Sequence, residues 1–225
     1  MQSIIQHTLL NNNFILSAER CIYWENEDIL IISDLHLGKT GHFRKAGIAV
    51  PQGIFMEDMQ RLVTQLQSFK PQRVIVIGDM FHSKGNKEHD LFVKWRKDFT
   101  QLSIVLVKGN HDILDESWYR EADIETSSCE ITIGRFAFVH DYTDCVVPGD
   151  GYIFSGHIHP GISIYGIGKQ SLRFPCFYFG KHHAVLPAFS RFTGMYGITP
   201  RREESVYAIV NPNPLKGEPG GIVKV

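Results

Sequence analysis

Short apolar runs, rich in β-branched residues and mostly closed by a polar residue or glycine, recur along the chain. Five stand out: Ile29–Ile32, Val74–Ile77, Ile104–Val107, Phe136–Val139 and Tyr152–Phe154. Continuous apolar runs of this length predict strands buried on both faces. Between the first three the period changes to a helical one. Pro51–Phe69 carries Ile54, Phe55, Met59, Leu62, Val63, Leu66 and Phe69 at helical spacing, with Pro51 suited to a first turn. His89–Leu102 predicts a second helix, with Leu91, Phe92, Trp95 and Phe99 on one side. Strand, helix, strand, helix, strand implies right-handed crossovers onto a parallel core. Beyond about residue 130 the helical pattern stops and strands follow one another. They are Ile131–Ile133, Phe136–His140, Tyr152–Gly156, Ile162–Ile167, His183–Leu186 and Tyr207–Val210. The expected fold class is α/β, two mixed β-sheets face to face with helices outside at least one.

Composition narrows the class without naming a chemistry. The 225 residues suit one domain over 1–225, with no internal repeat or long linker. Residues 212–221 are Pro/Gly-rich and read as a loop or tail, with Ile222–Val225 as a final edge strand. A formal net charge of -1 excludes a global basic field that would pull the chain onto nucleic acid. The opening MQSIIQHTLL has no basic segment followed by a long apolar run, and no stretch approaches the roughly 18 apolar residues of a membrane span. A soluble, cytoplasmic protein with no membrane partner is expected. Four cysteines, Cys21, Cys129, Cys145 and Cys176, form no CxxC pair and read as reduced thiols.

The chemistry lies where the five apolar runs end. They lead into Ser33-Asp34-Leu35-His36, Gly78-Asp79-Met80-Phe81-His82, Gly109-Asn110-His111-Asp112, His140-Asp141 and Ser155-Gly156-His157-Ile158-His159. Ligands bind at the carboxyl ends of strands in open α/β sheets. One edge therefore receives Asp34, Asp79, Asn110, His36, His140, His157 and His159, beside His111. Carboxylate, amide oxygen and imidazole suit manganese, iron, zinc or cobalt better than copper(I) or an iron–sulfur cluster. A lone Asp-x-His or Gly-Asp is a common turn. All five in this order, each after a buried strand, point to metal.

In this combination the chain resembles the calcineurin-like metallophosphoesterases, whose motif series runs DxH, GD, GNH plus an acid, H and GHxH. The resemblance implies a sandwich of two mixed sheets flanked by helices, an αββα arrangement. It also implies that Asp34, His36, Asp79 and His159 hold one divalent ion and Asp79, Asn110, His140 and His157 a second, with Asp79 bridging. Manganese is the expected pair, with zinc or iron as alternatives. His111 would protonate the leaving alkoxide, with Asp112 beside it as a second catalytic residue. Two positions depart from the pattern: His82 stands where many relatives have an acid, and Asp112 where Glu is frequent. Within the family, Asp34-Leu35-His36-Leu37-Gly38-Lys39, His42-Phe43-Arg44, Val50-Pro51, Gly78-Asp79-Met80-Phe81-His82-Ser83, Leu186-Pro187-Ala188-Phe189 and Gly194 resemble the bacterial ligase-associated DNA damage response endonuclease branch. That narrower likeness implies a DNA-repair endonuclease acting on single strands, with ligase or helicase partners.

The expected reaction follows from general chemistry. Two ions roughly 3.5–4 Å apart clamp a phosphate and acidify a bridging water, whose hydroxide attacks phosphorus. A general acid contributes about 10²–10⁴ in rate when the leaving group is a poor one. Lys39, His42 and Arg44, with Lys45, follow the first metal motif and are candidate phosphate contacts. Lys181-His182-His183 reads as a solvent-facing cluster before an anion site, Arg201-Arg202-Glu203-Glu204 as a surface turn, and Trp95 and Tyr119 as packing before base-stacking. Three classes compete: a nucleic-acid phosphodiesterase, a phosphoesterase for a small nucleotide-like molecule, and a scaffold without activity. The complete ligand set disfavours the scaffold, and the near-zero net charge leans towards small substrates.

Overall fold

The computed structural model describes residues 3–45, 47, 49–50, 53–82, 87–144, 150–166, 171–211 and 220–225, apart from the side chains of His42 and Lys45. Pro51, Ser83, Cys145, Ile167 and residues 212–219 of the Pro/Gly-rich segment therefore lie outside the described residues.

The first sheet is an antiparallel meander running into a parallel half. β1 (Ile4–Leu9), β2 (Asn12–Ser17), β3 (Cys21–Trp24) and β4 (Ile29–Ser33) pair in sequence, each antiparallel to the last. Leu10 and Asn11, at the two-residue turn between β1 and β2, take φ of 49° and 62°. Such paired positive values match the twist of a tight hairpin. After α1 (Lys39–Lys45) and α2 (Gly53–Phe69) come β5 (Arg73–Ile77), α3 (Lys87–Arg96), β6 (Ser103–Val107), α4 (Glu116–Glu121) and β7 (Glu125–Ser127). β4, β5, β6 and β7 are mutually parallel, in register Ile31↔Ile75 and Ile75↔Val105.

The second sheet takes the rest of the chain. It contains β8 (Glu130–Ile133), β9 (Phe136–Val139), β10 (Tyr152–Ser155), β11 (Pro160–Tyr165), β12 (Ser171–Phe179), β13 (His183–Val185), β14 (Tyr196–Gly197), β15 (Ser205–Val210) and β16 (Gly221–Lys224). Its order is β14-β11-β12-β13-β10-β9-β8, with β15 on β12 and β16 on β15. The parallel pairs β9–β10 and β10–β13 lie amid antiparallel neighbours. β12 changes partners at Pro175, which ends the pairing with β11; from Cys176 onward the strand pairs with β15. Proline has no N–H for a ladder, so it suits the point of exchange.

Alternation along the parallel strands divides the core. Leu30, Ile32, Val74, Val76, Ile104 and Leu106 pack under Phe55, Met59, Leu62 and Leu66 of α2 and under Phe92 and Tyr119. Ile29, Ile31, Ile75, Ile77 and Val107 point the other way, onto Phe136, Phe138, Phe154, Phe177 and Leu186 of the second sheet. Each such side chain, fully buried, contributes about 1.5–3 kcal/mol. The predicted pair of mixed sheets with helices is thus present. Among the described residues the helices cover only the first sheet; the outer face of the second carries the small cluster Ile162, Cys176, Val206 and Ala208.

Three details depart from the sequence reading. Leu91 is exposed, and the second helix breaks at Arg96 into a 3-10 turn, Lys97–Phe99. β1–β3, α1, α4 and the nine-residue β12 were not predicted, although Cys21–Trp24 and Cys176–Phe179 are continuous apolar runs. Tyr119 is fully buried and Trp95 packs on the same core, as the packing reading expected. Burial also pushes the Cys21 and Cys176 thiols up to about 12, which keeps them unreactive.

β1 touches the second sheet through His7, whose ring lies 4.0 Å from Phe179 and whose Nδ1 is 2.9 Å from the Tyr207 hydroxyl. Burial, then the charge of Lys224, lowers its pKa from 6.5 to about 4. The folded protein therefore holds His7 neutral while the unfolded chain takes up a proton first. This contribution is complete above pH 6.5 and is lost as pH falls from there through 4. Solvent screening limits it to about 1 kcal/mol. Denaturant midpoints at pH 7 and pH 5 should differ less in His7→Gln than in wild type; an unchanged difference contradicts the assignment.

Candidate metal centre

Five strand ends, β4, β5 and β6 from the first sheet and β9 and β10 from the second, deliver their polar residues to one place. The two sheets are tied together there: Phe189 N–H donates to Ser33 O at 2.7 Å and His157 N–H to Asp34 Oδ2 at 3.1 Å, while within the second sheet Gly156 N–H donates to His140 O at 3.1 Å. Ser33 Oγ, which no sequence signal singled out, bonds Asp34 Oδ2 and lies 3.0 Å from Ile77 O.

The backbone is strained where these side chains converge. Asp34, His36, Asp79, His157 and His159 all have positive φ, between 48° and 68°. Asp and His tolerate this left-handed region better than most residues, and such strain gathers at functional sites. The glycines preceding the ligands serve close approach. A Cβ on Gly78 would lie 1.9 Å from His140 Nδ1, and one on Gly156 1.8 Å from Ser33 Oγ and 2.5 Å from Asp34 Oδ2. Gly156→Ala is therefore expected to cost about 1–3 kcal/mol through overpacking and to weaken metal affinity about 10–100-fold. Denaturation with titration calorimetry measures both, and wild-type values in each would contradict this reading.

Six ligand-type side chains form two groups, Asp34, His36 and His159 in one and Asp79, His140 and His157 in the other, each within 4.8 Å. In the first, His159 Nε2 is 3.3 Å from Asp34 Oδ1 and 3.4 Å from His36 Nε2. In the second, His140 Nε2 lies 3.0 Å from Asn110 Oδ1, 3.0 Å from His157 Nδ1 and 3.6 Å from Asp79 Oδ1. The other Asp79 oxygen, Oδ2, faces His36 Nε2 at 4.0 Å, so Asp79 stands between the groups.

These residues fit metal. A single imidazole N–H on His140 can serve only one of its three neighbours, leaving lone pairs face to face; divalent cations would neutralise them. Protonation states agree. Burial, then Lys39, pushes His36 down to about 2, so it stays neutral, as a ligand must. Burial would raise Asp34, but His159, Ser33 and His140 outweigh it and hold the carboxyl below its ordinary value.

The remaining candidates are placed as follows. His111 is partly exposed, its Nε2 4.0 Å from Asp79 Oδ2, and its backbone N–H donates to Asp79 Oδ1 at 2.9 Å. Its ring lies 4.5 Å from that of His82 and 5.5 Å from that of His36. Asp112 is buried and turned to the main chain, accepting from Gly109 N–H at 2.8 Å and Phe81 N–H at 2.9 Å. It clamps the Gly109–Asp112 turn to the chain after Asp79, which makes it a positioning residue. Lys39 starts α1; burial lowers its ammonium pKa, and the charges of Asp79 and Asp34 act against that lowering. Arg44 is instead committed to Glu88, 3.0 Å away and buried, which also accepts from Gly38 N–H and Thr40 Oγ1. A buried carboxylate needs such a cation, so Arg44, a candidate phosphate contact, also has a structural ion pair to keep. The His42 side chain lies outside the described residues. Asp141, given no role by the sequence reading, faces His157 Nε2 at 3.8 Å.

Asp, Asn and His side chains gathered at the carboxyl ends of two facing sheets define a metal-dependent hydrolase. The chain belongs to the calcineurin-like phosphoesterase family, whose sequence profile matches residues 28–176. Among solved structures it is similar to a nuclease, MPE, of Pseudomonas putida, at 27% identity and a TM-score of 0.77, covering 91% of this chain and 96% of that one. A protein of unknown function from Aquifex aeolicus shares 19% identity over 58% of this chain and 78% of its own, at a TM-score of 0.41 too low to carry an argument. No curated protein sequence matches. Among the described residues no helix is long and apolar enough to cross a membrane.

Proposed function

We propose that this protein is a two-metal phosphodiesterase that cuts nucleic acid, single strands in preference to duplex. The observation that carries the two-metal reading is Asp79, whose two oxygens face different histidine groups. Asp34, His36, Asp79 and His159 would hold one ion and Asp79, Asn110, His140 and His157 the other, manganese being the expected metal. When bound, such ions supply Lewis-acid polarisation of a phosphate and a water acidic enough to ionise near neutral pH. The chain's own residues do the rest. His111, partly exposed at the edge of the cluster, donates a proton to the leaving alkoxide. Asp112 keeps the His111 turn in place through its two main-chain bonds. Lys39 meets phosphate oxygen beside Asp34 and Asp79.

Likeness to a nuclease over nearly the whole chain supports nucleic acid as substrate. A flexible strand can bend into a cleft that a stiff duplex cannot enter. A cytoplasmic role in DNA repair, beside a ligase or helicase, is the finer reading that residues 34–51 support. The net charge of -1 favours a second reading, a small phosphodiester or nucleotide-like substrate. Manganese-loaded protein should be offered single-stranded DNA, the matching duplex, bis-p-nitrophenyl phosphate and cyclic nucleotides. Cleavage of the single strand faster than the duplex, falling with salt, is expected. Hydrolysis of the small esters alone would replace this reading with the second.

A further inference from the structure

Beside His159 lies a cavity of about 280 Å³ lined by Arg20, Arg173, Arg191, Pro160, Thr193 and Asn211 among others, with no acidic residue on its wall. Arg20 is 8% exposed, and its Nη1 donates to Ala188 O at 3.2 Å and Ser190 O at 2.9 Å. Among the described residues no carboxylate lies within ion-pair distance of Arg20 or Arg173. The nearby acids are already engaged: Glu19 with Arg61 at 2.6 Å and Arg191 at 3.3 Å, and Asp58 with Arg61 at 2.8 Å. Burial, then Arg61 and Arg191, pushes Arg20 down to about 10, as expected of a guanidinium short of counter-charge.

Arg173 is held by shape. It lies on β12 opposite Ser163, and its stem crosses the facing glycines Gly161 of β11 and Gly197 of β14. A Cβ on Gly161 would meet Arg173 Cγ at 3.1 Å and Cδ at 3.2 Å; one on Gly197 would meet Nη2 at 3.0 Å. Two strands thus give up side chains where a long cation that lines the cavity lies between them, and among the described residues that cation finds no carboxylate. Three arginines on the wall of one cavity, Arg20 buried among them, are a donor set suited to phosphate oxygens.

We propose that the Arg20, Arg173 and Arg191 cavity seats a non-scissile phosphate of a single-stranded nucleic acid, next along the chain from the bond that breaks at the metal centre. This rests on the nuclease reading and deepens it. His159 belongs to both the cavity wall and a metal group, so the two phosphates are neighbours. Pro160 also borders a second cavity, of about 650 Å³, whose lining includes the aromatic residues Tyr142, Tyr178, Tyr196 and His183, the side-chain type on which bases stack. A small ester with one phosphorus leaves the arginine cavity empty.

The test uses the metal-loaded full chain and a fluorescent short oligothymidylate with cleavage-resistant phosphorothioate linkages, read by anisotropy across a salt series. Arg173→Ala is expected to raise Kd on the order of ten-fold and to reduce the salt slope by about 0.7, one single-strand phosphate's worth. Arg173→Lys, which keeps the charge, should retain the slope. If wild type binds but Arg173→Ala and Arg191→Ala both match it in Kd and slope, the cavity assignment is overturned while the nuclease reading stands. If wild type binds no single strand, the nuclease reading fails and the cavity assignment with it. If inorganic phosphate displaces the oligothymidylate as effectively as unlabelled strand, the cavity serves free phosphate and the polynucleotide assignment is wrong.

Discussion

Asp79→Ala is expected to remove both metal ions together and to lower phosphodiester hydrolysis by at least about 10³-fold, the loss of a principal transition-state stabiliser. Asp79 Oδ1 is 3.6 Å from His140 Nε2 and Oδ2 is 4.0 Å from His36 Nε2, so one carboxylate serves both groups. It also accepts the His111 N–H at 2.9 Å, which means its loss frees the turn carrying the proposed acid. Truncating a ligand of one group only, as in His157→Ala, should instead spare the Asp34, His36 and His159 group. Metal content by mass spectrometry, alongside hydrolysis of bis-p-nitrophenyl phosphate, separates the two variants. If Asp79→Ala keeps two ions per chain, Asp79 does not bridge.

For His111→Ala the two readouts should part. Metal content should stay at wild-type level, because His111 belongs to neither group of ligand atoms. Turnover on a substrate with an alkoxide leaving group should fall about 10²–10⁴-fold, the usual contribution of a general acid. An activated aryl ester, whose leaving group needs little protonation, should lose much less. Equal loss on both substrates, or loss of metal, would remove His111 from this role. His82, 4.5 Å from the His111 ring, stands where the family pattern has an acid. The His111 ring therefore rests against another ring, while Asp112 steadies its backbone from below.

The pair of mixed sheets and the gathering of polar strand ends were both legible in the sequence. Asp34, His36, Asp79, Asn110, His140, His157 and His159 each follow a run of apolar residues that must be buried, and burial on both faces leaves little choice of where such a strand ends. The edges were less legible because their residues alternate or carry charge. β1, with IIQHTL, is half exposed, and in β12 Arg173 and Pro175 interrupt the pattern before the apolar run Cys176–Phe179, although each strand is well paired. Their pairing comes from partners distant in sequence. Side-chain commitments were the least legible. Arg44 looked available from its place after the first motif, but Glu88, 44 residues on and buried, takes its guanidinium. Arg173 drew no attention in sequence, because the two glycines that clear its path lie on other strands.

The most direct test of the central claim is anomalous diffraction at the manganese edge from crystals of the manganese-loaded protein. Two peaks are predicted, roughly 3.5–4 Å apart, one against Asp34, His36 and His159 and the other against Asn110, His140 and His157, with Asp79 touching both. A single peak, or two with no shared Asp79 contact, would contradict the two-metal account.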